Sequence, residues 1–444
     1  TSWIQPGKSA WEWWHKAVLE GVDFPSGNNN LSFQLYKYYV DWASQHGIEY
    51  MTLDAGWSES YIRTLCLYAK QKNVKIIVWT WASCVRENPE DWIKKMKDYG
   101  VSGAKIDFFE RNDQIAMRWG RDFAQRLANH QMVALFHGPV PAGINRTFPN
   151  ILNFEAVRGA ECNFWEKTLT PEYHTQFPFI RSLVGPEDYT PGSMRNVTQE
   201  EFQPIDKDDT PPMSMGTRAH ELSMYVIYDQ WIGYLCDSPT EYNKYPDILS
   251  FLSTVPVVWD KTVPLDAKLG DYILVAKQKG KDWYVGGMTD WTARTLEVDF
   301  GFLEAGVSYL ADIFKDTSAS GEQPKQYVCE RMEITKDTKL SIPMAKGGGF
   351  AIRLLHASGS GITEVKQENP LIVYVEKETD TLHIKTEKRI EDVRINDITG
   401  QTLFARKYND DVYSERINLS DFNKGIYVVS VKTAPALAST TFIY

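Results

Sequence analysis

A chain of 444 residues that is 43% hydrophobic and 24% charged is ordinary globular material, long enough for two or three domains. Its formal net charge of −10, with no Lys/Arg-rich block, argues against nucleic acid and anionic membrane as partners and fits a neutral substrate. No apolar run reaches the roughly eighteen residues of a membrane span, and five Cys (Cys66, Cys84, Cys162, Cys236, Cys329) without CxxC or metal spacing read as free thiols.

The chain opens at Thr1 with neither Met nor a signal-peptide pattern, so it reads as processed or truncated upstream. Ala10–Trp14 is expected as a short aromatic strand, and Leu31–His46 as an amphipathic helix. Strands Glu49–Asp54 and Val74–Trp81 then alternate with helices Tyr61–Lys72 and Pro89–Tyr99. A strand to Asp107, a helix from about Asp113 to Asn129 and the strands Met132–His137 and Ile151–Val157 continue the pattern. Pro178–Leu183 is expected as strand seven and Val255–Trp259 as strand eight, with a polar rim loop over Glu187–Arg218 and a helix over His220–Cys236. This βαβα rhythm predicts an α/β fold, a (β/α)8 TIM barrel over residues 1–262.

From Lys268 the texture becomes short alternating runs (Tyr272–Lys277, Asp282–Thr289, Thr295–Asp299, Ser308–Asp316, Phe350–Leu355), an antiparallel β domain over 263–357. After a Ser/Gly linker at Ala357–Gly361, the runs Leu371–Val375, Thr381–Lys385, Ile390–Asn396, Thr402–Lys407 and Gly425–Lys432 predict a small β-sandwich over 363–444.

Acidic residues fall on the expected strand ends: Asp54 in Leu-Asp-Ala-Gly-Trp, Asp107 in Lys-Ile-Asp, and the pair Glu155 and Glu161 in Asn-Phe-Glu-Ala-Val-Arg-Gly-Ala-Glu. The carboxyl-terminal rim of such a barrel is where active sites sit. Aromatics reach 13%, with most of the fifteen Trp before residue 170, and Trp13, Trp79 and Trp81 near the acids offer flat apolar faces to sugar rings or simply fill a large core. Carboxyls among aromatics suit glycoside hydrolysis, in which one carboxyl protonates the leaving oxygen and another attacks the anomeric carbon or activates water. Lys105, two residues before Asp107, shares its face of the strand and is expected to lower that carboxyl's pKa, or else to form a plain salt bridge. Asp107 itself has the alternative reading of a helix cap, and Glu155 that of a partner for Arg158. A non-catalytic carbohydrate-binding barrel is the competing function class.

Over about residues 1–356 the chain resembles glycoside hydrolase family 97, through Trp-x-Trp-Trp at the barrel start, Leu53–Trp57, Gly103–Phe109, His137-Gly138-Pro139, Asn153–Gly159 and Gly185–Gly192, all in family order. The resemblance implies a β-sandwich ahead of the barrel, which is missing from this chain. Inverting members carry a Glu just after the strand-five His, where this chain has Gly138; retaining members carry an Asp at the end of strand four, here Asp107. The retaining branch is implied, with Asp107 as nucleophile, Glu161 as acid/base, and Glu155 with Glu161 as ligands of a calcium ion whose remaining ligand lies in the missing sandwich. By the same resemblance and that to related α-galactosidase families, Asp54 holds sugar hydroxyls, with Trp79, Trp81, Lys105 and His137 as further substrate contacts; His137 reads equally well as a packed rim residue. An exo-acting α-galactosidase is the expected activity, with β-L-arabinopyranosidase or inverting α-glucosidase as alternatives. The ending, Asp397-Ile398-Thr399-Gly400 and then Asn423–Val429, resembles the C-terminal sorting domains of Bacteroidetes secretion substrates, which implies a periplasmic, secreted or cell-surface location.

Overall fold

The computed structural model describes residues 1–138, 143–357, 372–376, 379–386, 388–397, 401–423, 426–433 and 436–443. Pro139, Ser358–Gly361, Leu371, Ile398–Gly400 and Lys424-Gly425 lie outside them. Residues Thr1–Ala357 form one compact unit and Ser358–Tyr444 another.

In the first unit, β1 (Gly7–Trp11), β2 (Tyr50–Leu53), β3 (Lys75–Trp81), β4 (Gly103–Asp107), β5 (Val133–Phe136), β6 (Ile151–Phe154) and β7 (Ile232–Leu235) make one sheet. Its order is β6-β5-β4-β3-β2-β1-β7, and every pair is parallel. The strands are almost wholly buried, as a sheet covered on both faces must be. Between them run α1 (Phe33–Gln45), α2 (Glu59–Gln71), α3 (Ala82–Glu87), α4 (Pro89–Tyr99) and α5 (Gln114–Asn129). α5 shows why these segments are helices: Asp113 caps its first turn by accepting from the amides of Ile115 and Ala116, and Ala116, Gly120, Phe123, Ala124 and Leu127 form one buried stripe. α4 starts with Pro89 and stops at Gly100, whose φ of 97° is the left-handed stop that glycine supplies without steric cost.

Closure of the barrel differs from expectation. Pro178–Leu183 is not a strand: Thr170 caps a helix, α6 (Pro171–Ile180), that begins on Pro171 and is followed by a turn over Ser182–Val184. Val255–Trp259 is irregular, and the closing strand is β7, which lies at the end of the segment expected to be helical; the helix there, α7 (Arg218–Ile227), stops short of it. Every residue of α7 and β7 is buried, Arg218, His220 and Glu221 included, so no alternation of a polar with an apolar face marks where the helix gives way to the strand. The eighth strand position holds only a single parallel bridge from Phe154 to Glu187. The Asn153 side chain completes the seam, donating to the Ile232 carbonyl at 2.8 Å and accepting from the amides of Trp231 and Ile232 at 2.9 and 3.2 Å.

The antiparallel part is a six-stranded sheet, with strands Lys261–Lys268, Tyr272–Lys279, Asp282–Thr289, Gly349–His356, Tyr309–Lys315 and Val328–Ile334 in that spatial order, beside a pair formed by Arg294–Asp299 and Lys339–Met344. α7 packs against it so closely that a Cβ added at Gly286 would meet Ile227 at 2.9 Å. The second unit is a three-stranded and a four-stranded antiparallel sheet around Leu382, Ile384, Ile390, Val393, Ile395, Ile417 and Val429.

Because Asn153 is fully buried, Asn153→Ala leaves one carbonyl and two amides of the seam without partners. Its expected cost is about 3 kcal/mol. Urea unfolding of the variant beside the parent checks this; a loss below about 1 kcal/mol would mean that the seam is held elsewhere.

Candidate active site

The carboxyl ends of the strands place their next residues around one mouth: Glu12 after β1, Asp54 after β2, Asp107 ending β4, His137 after β5 and Glu155 after β6. At its floor, Lys105 Nζ lies 2.7 Å from Asp54 Oδ2, with both side chains at most 5% exposed. Trp11 Nε1 donates to the same oxygen at 2.7 Å and the Ala55 amide to Oδ1 at 2.8 Å, while the ammonium sits 4.5 Å above the Trp11 ring. Burial raises the Asp54 carboxyl, but the Lys105 charge and these donors outweigh it and hold its pKa below the ordinary value.

The expected coupling of Lys105 to Asp107 is therefore corrected. Both residues share a face of β4, but the ammonium reaches across to β2 and pairs with Asp54. Asp107 is held instead by Trp79 Nε1, which donates to Oδ2 at 3.0 Å, and by the Phe108 amide, which donates to Oδ1 at 2.7 Å. The helix-capping role falls to Asp113, not Asp107.

His137 links the acids. Its Nε2 lies 2.6 Å from Asp188 Oδ2, and its Nδ1 lies 3.7 Å from Glu155 Oε1 and 3.9 Å from Asp107 Oδ2. Burial and the Lys105 charge pull its pKa down, yet Glu155 and Asp188 together outweigh them and raise it to about 9, so the ring is a cation at neutral pH. Glu155 also accepts from the Gly138 amide at 3.1 Å. Arg158 turns away from Glu155 to pair with Glu166 and reach Thr168.

Glu161 sits on a short helical turn, Ala160–Phe164. Burial and the neighbouring Glu155 charge push its pKa up to about 7 against the pull of His137 and Lys105. A carboxyl poised there carries its proton near neutrality and can give it up.

Four residues around this mouth escape the sequence reading: Glu12, Asp188, Tyr234 and Phe108. Glu12 obeys the same strand-end rule as the acids that were identified, but it sits in an aromatic run expected to be strand. Its Oε1 accepts from Tyr36 at 2.9 Å and from the Asp54 amide at 2.8 Å, and burial and the Asp54 charge lift its pKa to about 8. Asp188 and Tyr234 come from a loop and from the misassigned β7, and no period marks either. A separate cavity of about 820 Å³ at the amino ends of β3 and β4 is lined by Arg63, Lys70, Lys75 and Lys97 with only Asp98 as an acid, so it offers no carboxyl pair.

Residues 13–157 match the model for glycoside hydrolase 97, and residues 258–355 the model for the glycosyl-hydrolase 97 C-terminal, oligomerisation domain. The chain carries a glycoside hydrolase family 97 domain. A retaining alpha-galactosidase of Bacteroides thetaiotaomicron is 41% identical over 368 residues, which are 80% of this chain and 54% of that protein. A probable retaining alpha-galactosidase of Streptomyces bingchenggensis is 31% identical over 374 residues, with the same two coverages of 80% and 54%. The chain thus spans about half the length of the curated relatives it matches. A family 97 enzyme of Pseudoalteromonas sp. strain K8, solved with panose, superposes with a TM-score of 0.71 at 26% identity, covering 80% of this chain and 61% of that one. Residues 378–443 match the secretion system C-terminal sorting domain, which marks the chain for secretion or the cell surface.

Glu12 generates a stability prediction. Its folded-state pKa of about 8 lies above its ordinary value of 4.5, so its contribution to stability is complete below pH 4.5 and is lost as pH rises toward 8. Glu12→Gln removes that loss, so its melting temperature should gain on the parent between pH 5 and pH 8. Thermal melts at the two pH values check this; an equal offset at both would contradict it.

Proposed function

We propose that this chain is the catalytic part of a retaining exo-glycoside hydrolase that releases terminal α-linked galactose through a covalent glycosyl-enzyme intermediate. The observation that carries the reading is the division of labour between two carboxyls at one mouth. Asp107 is oriented by two hydrogen-bond donors, and Glu161 is raised into the range of a proton donor. The 41% identity to a retaining alpha-galactosidase supports the galactoside, and Gly138, where an inverting member would need a base, speaks against the inverting α-glucosidase.

In this reading the Asp107 carboxylate attacks the anomeric carbon as Glu161 protonates the departing glycosidic oxygen, leaving the sugar esterified to Asp107. Glu161, now ionised, takes a proton from water, which attacks the same carbon and frees Asp107; two displacements restore the α configuration. The Trp79 indole and Phe108 amide hold Asp107 in line, which limits the geometric cost of attack. Asp54 and Lys105 form the floor that recognises sugar hydroxyls, and the His137 cation beside Asp107 and Glu155 steadies negative charge in the mouth. Residues 1–262 would be the catalytic domain, 263–357 its antiparallel buttress and 363–444 a sorting domain, for a protein working in the periplasm or at the cell surface.

Calcium belongs to the proposal with Glu155 and Glu161 as its ligands in this chain. A hard cation suits carboxylate oxygens, and it would supply positive charge where Glu155 now raises Glu161. Calcium takes about six to eight oxygens, whereas no group of three or more His, Cys, Asp or Glu among the described residues could hold a metal. The donors are right in kind but too few, so no step is routed through the ion. Calorimetric titration of the chain with calcium should give weak binding that Glu155→Gln abolishes; unchanged binding in the variant would remove Glu155 from the ligand set.

Two variants test the mechanism together on α-galactosides. Asp107→Gly should lose about three orders of magnitude in kcat or more, and azide should restore turnover with β-galactosyl azide as product. Glu161→Gln should lose about 10²–10⁴-fold on alkyl galactosides and far less on dinitrophenyl galactoside, whose leaving group needs little protonation. Parent-like turnover by Asp107→Gly without azide would sink the assignment.

A further inference from the structure

The rim above Asp107 carries two large aromatic side chains that stay partly exposed to solvent. Trp81, the last residue of β3, pairs in register with Asp107, and its side chain is 43% exposed; Phe108, the next residue after Asp107, is 49% exposed. Their rings stack with centroids 4.4 Å apart and planes 24° from parallel, and Trp79 meets both edge-on at 5.3 and 6.3 Å. By contrast, Phe109 is buried against Phe123 and Phe136 in the barrel wall.

Phe108 adopts a φ of 55°, a left-handed conformation that is unfavourable for a bulky aromatic residue. That one backbone choice has two results. It turns the amide back onto Asp107 Oδ1, and it puts the ring beside Trp81 at the rim rather than in the core. Strain combined with exposed apolar surface is costly twice over, and such features mark binding sites.

Depth decides which part of a substrate this pair meets. Exposure climbs from Lys105 at 2% and Asp54 at 4%, through the Asp107 carboxyl at 18%, to Trp81 and Phe108 at the rim. In an exo-acting site the terminal sugar occupies the floor, the scissile bond lies level with the nucleophile, and whatever departs lies outward of it. We infer that Trp81 and Phe108 are the platform on which the leaving group stacks, which selects aglycones with a flat apolar face, such as a pyranose ring. This rests on the α-galactosidase reading and adds the outward half of its specificity.

The test compares two substrates on the full chain: an α-galactosyl disaccharide, whose leaving group is a pyranose, and α-galactosyl fluoride, whose leaving group has no ring. For Trp81→Ala and Phe108→Ala, kcat/KM should fall about tenfold further on the disaccharide than on the fluoride, because only the disaccharide loses binding energy remote from the reacting atoms. Phe108→Ala keeps the backbone amide that holds Asp107, and thermal melts confirm that each variant is folded. Equal losses on both substrates, or no loss on either, would overturn the platform. A parent chain that turns over neither substrate would instead overturn the α-galactosidase reading, so the two failures are told apart before any variant is made.

Discussion

The ion pair between Lys105 and Asp54, sealed at the floor of the barrel mouth, is the interaction on which the rest of the site depends. Removing one partner of such a buried pair typically costs about 3–5 kcal/mol, because the other charge is left without compensation. Here the ammonium also rests on Trp11, and Asp54 accepts a hydrogen bond from the indole N–H of that same residue. Strands β1, β2 and β4 are thereby locked in relative position at the level where a substrate would end. The pair also sets the electrostatic floor: Lys105 opposes the proton affinity of Glu161 and His137 above it.

From that floor upward the site is a graded sequence of environments. Glu12 is buried beside Asp54 and kept protonated near neutrality, so the floor avoids two adjacent anions. One level higher, His137 stands as a cation facing Asp107, Glu155 and Asp188. Glu161 lies near Glu155, whose charge helps to hold its proton more tightly than an ordinary carboxyl does. Carboxyl groups of similar intrinsic acidity thus take different roles because burial and nearby charge separate them, which is what acid–base chemistry at one pH demands. The aromatic rim continues the gradient out to solvent.

Much of this was legible in the linear chain. Strands β2 to β6 and their helices stood out because each amphipathic helix shows its period and each strand ends at a turn. The acids at Asp54, Asp107 and Glu155 were identifiable because a polar residue terminating an apolar parallel strand has one place to go, the rim. Closure of the barrel was not legible. Segment 218–235 is buried almost throughout although it carries Arg218, His220 and Glu221, and segment 171–183 leaves Ile180 and Leu183 exposed, so in neither does burial follow apolar character. The seam depends on the side chain of Asn153, whose role needs a partner some eighty residues away.

The sequence by itself determined the alternating architecture, the strand-end acids and the family likeness, since these rest on local periodicity and on motifs that neighbouring residues complete. Only the tertiary structure decided who pairs with whom. Lys105 had Asp107 two positions away on the same face, yet it bonds to Asp54 on another strand; Glu155 had Arg158 three positions away, yet it faces His137. Sequence spacing ranks partners by distance along the chain. Inside a barrel, where strands from distant segments converge and water is excluded, the nearest charge in space wins, because Coulomb attraction grows as the local dielectric falls.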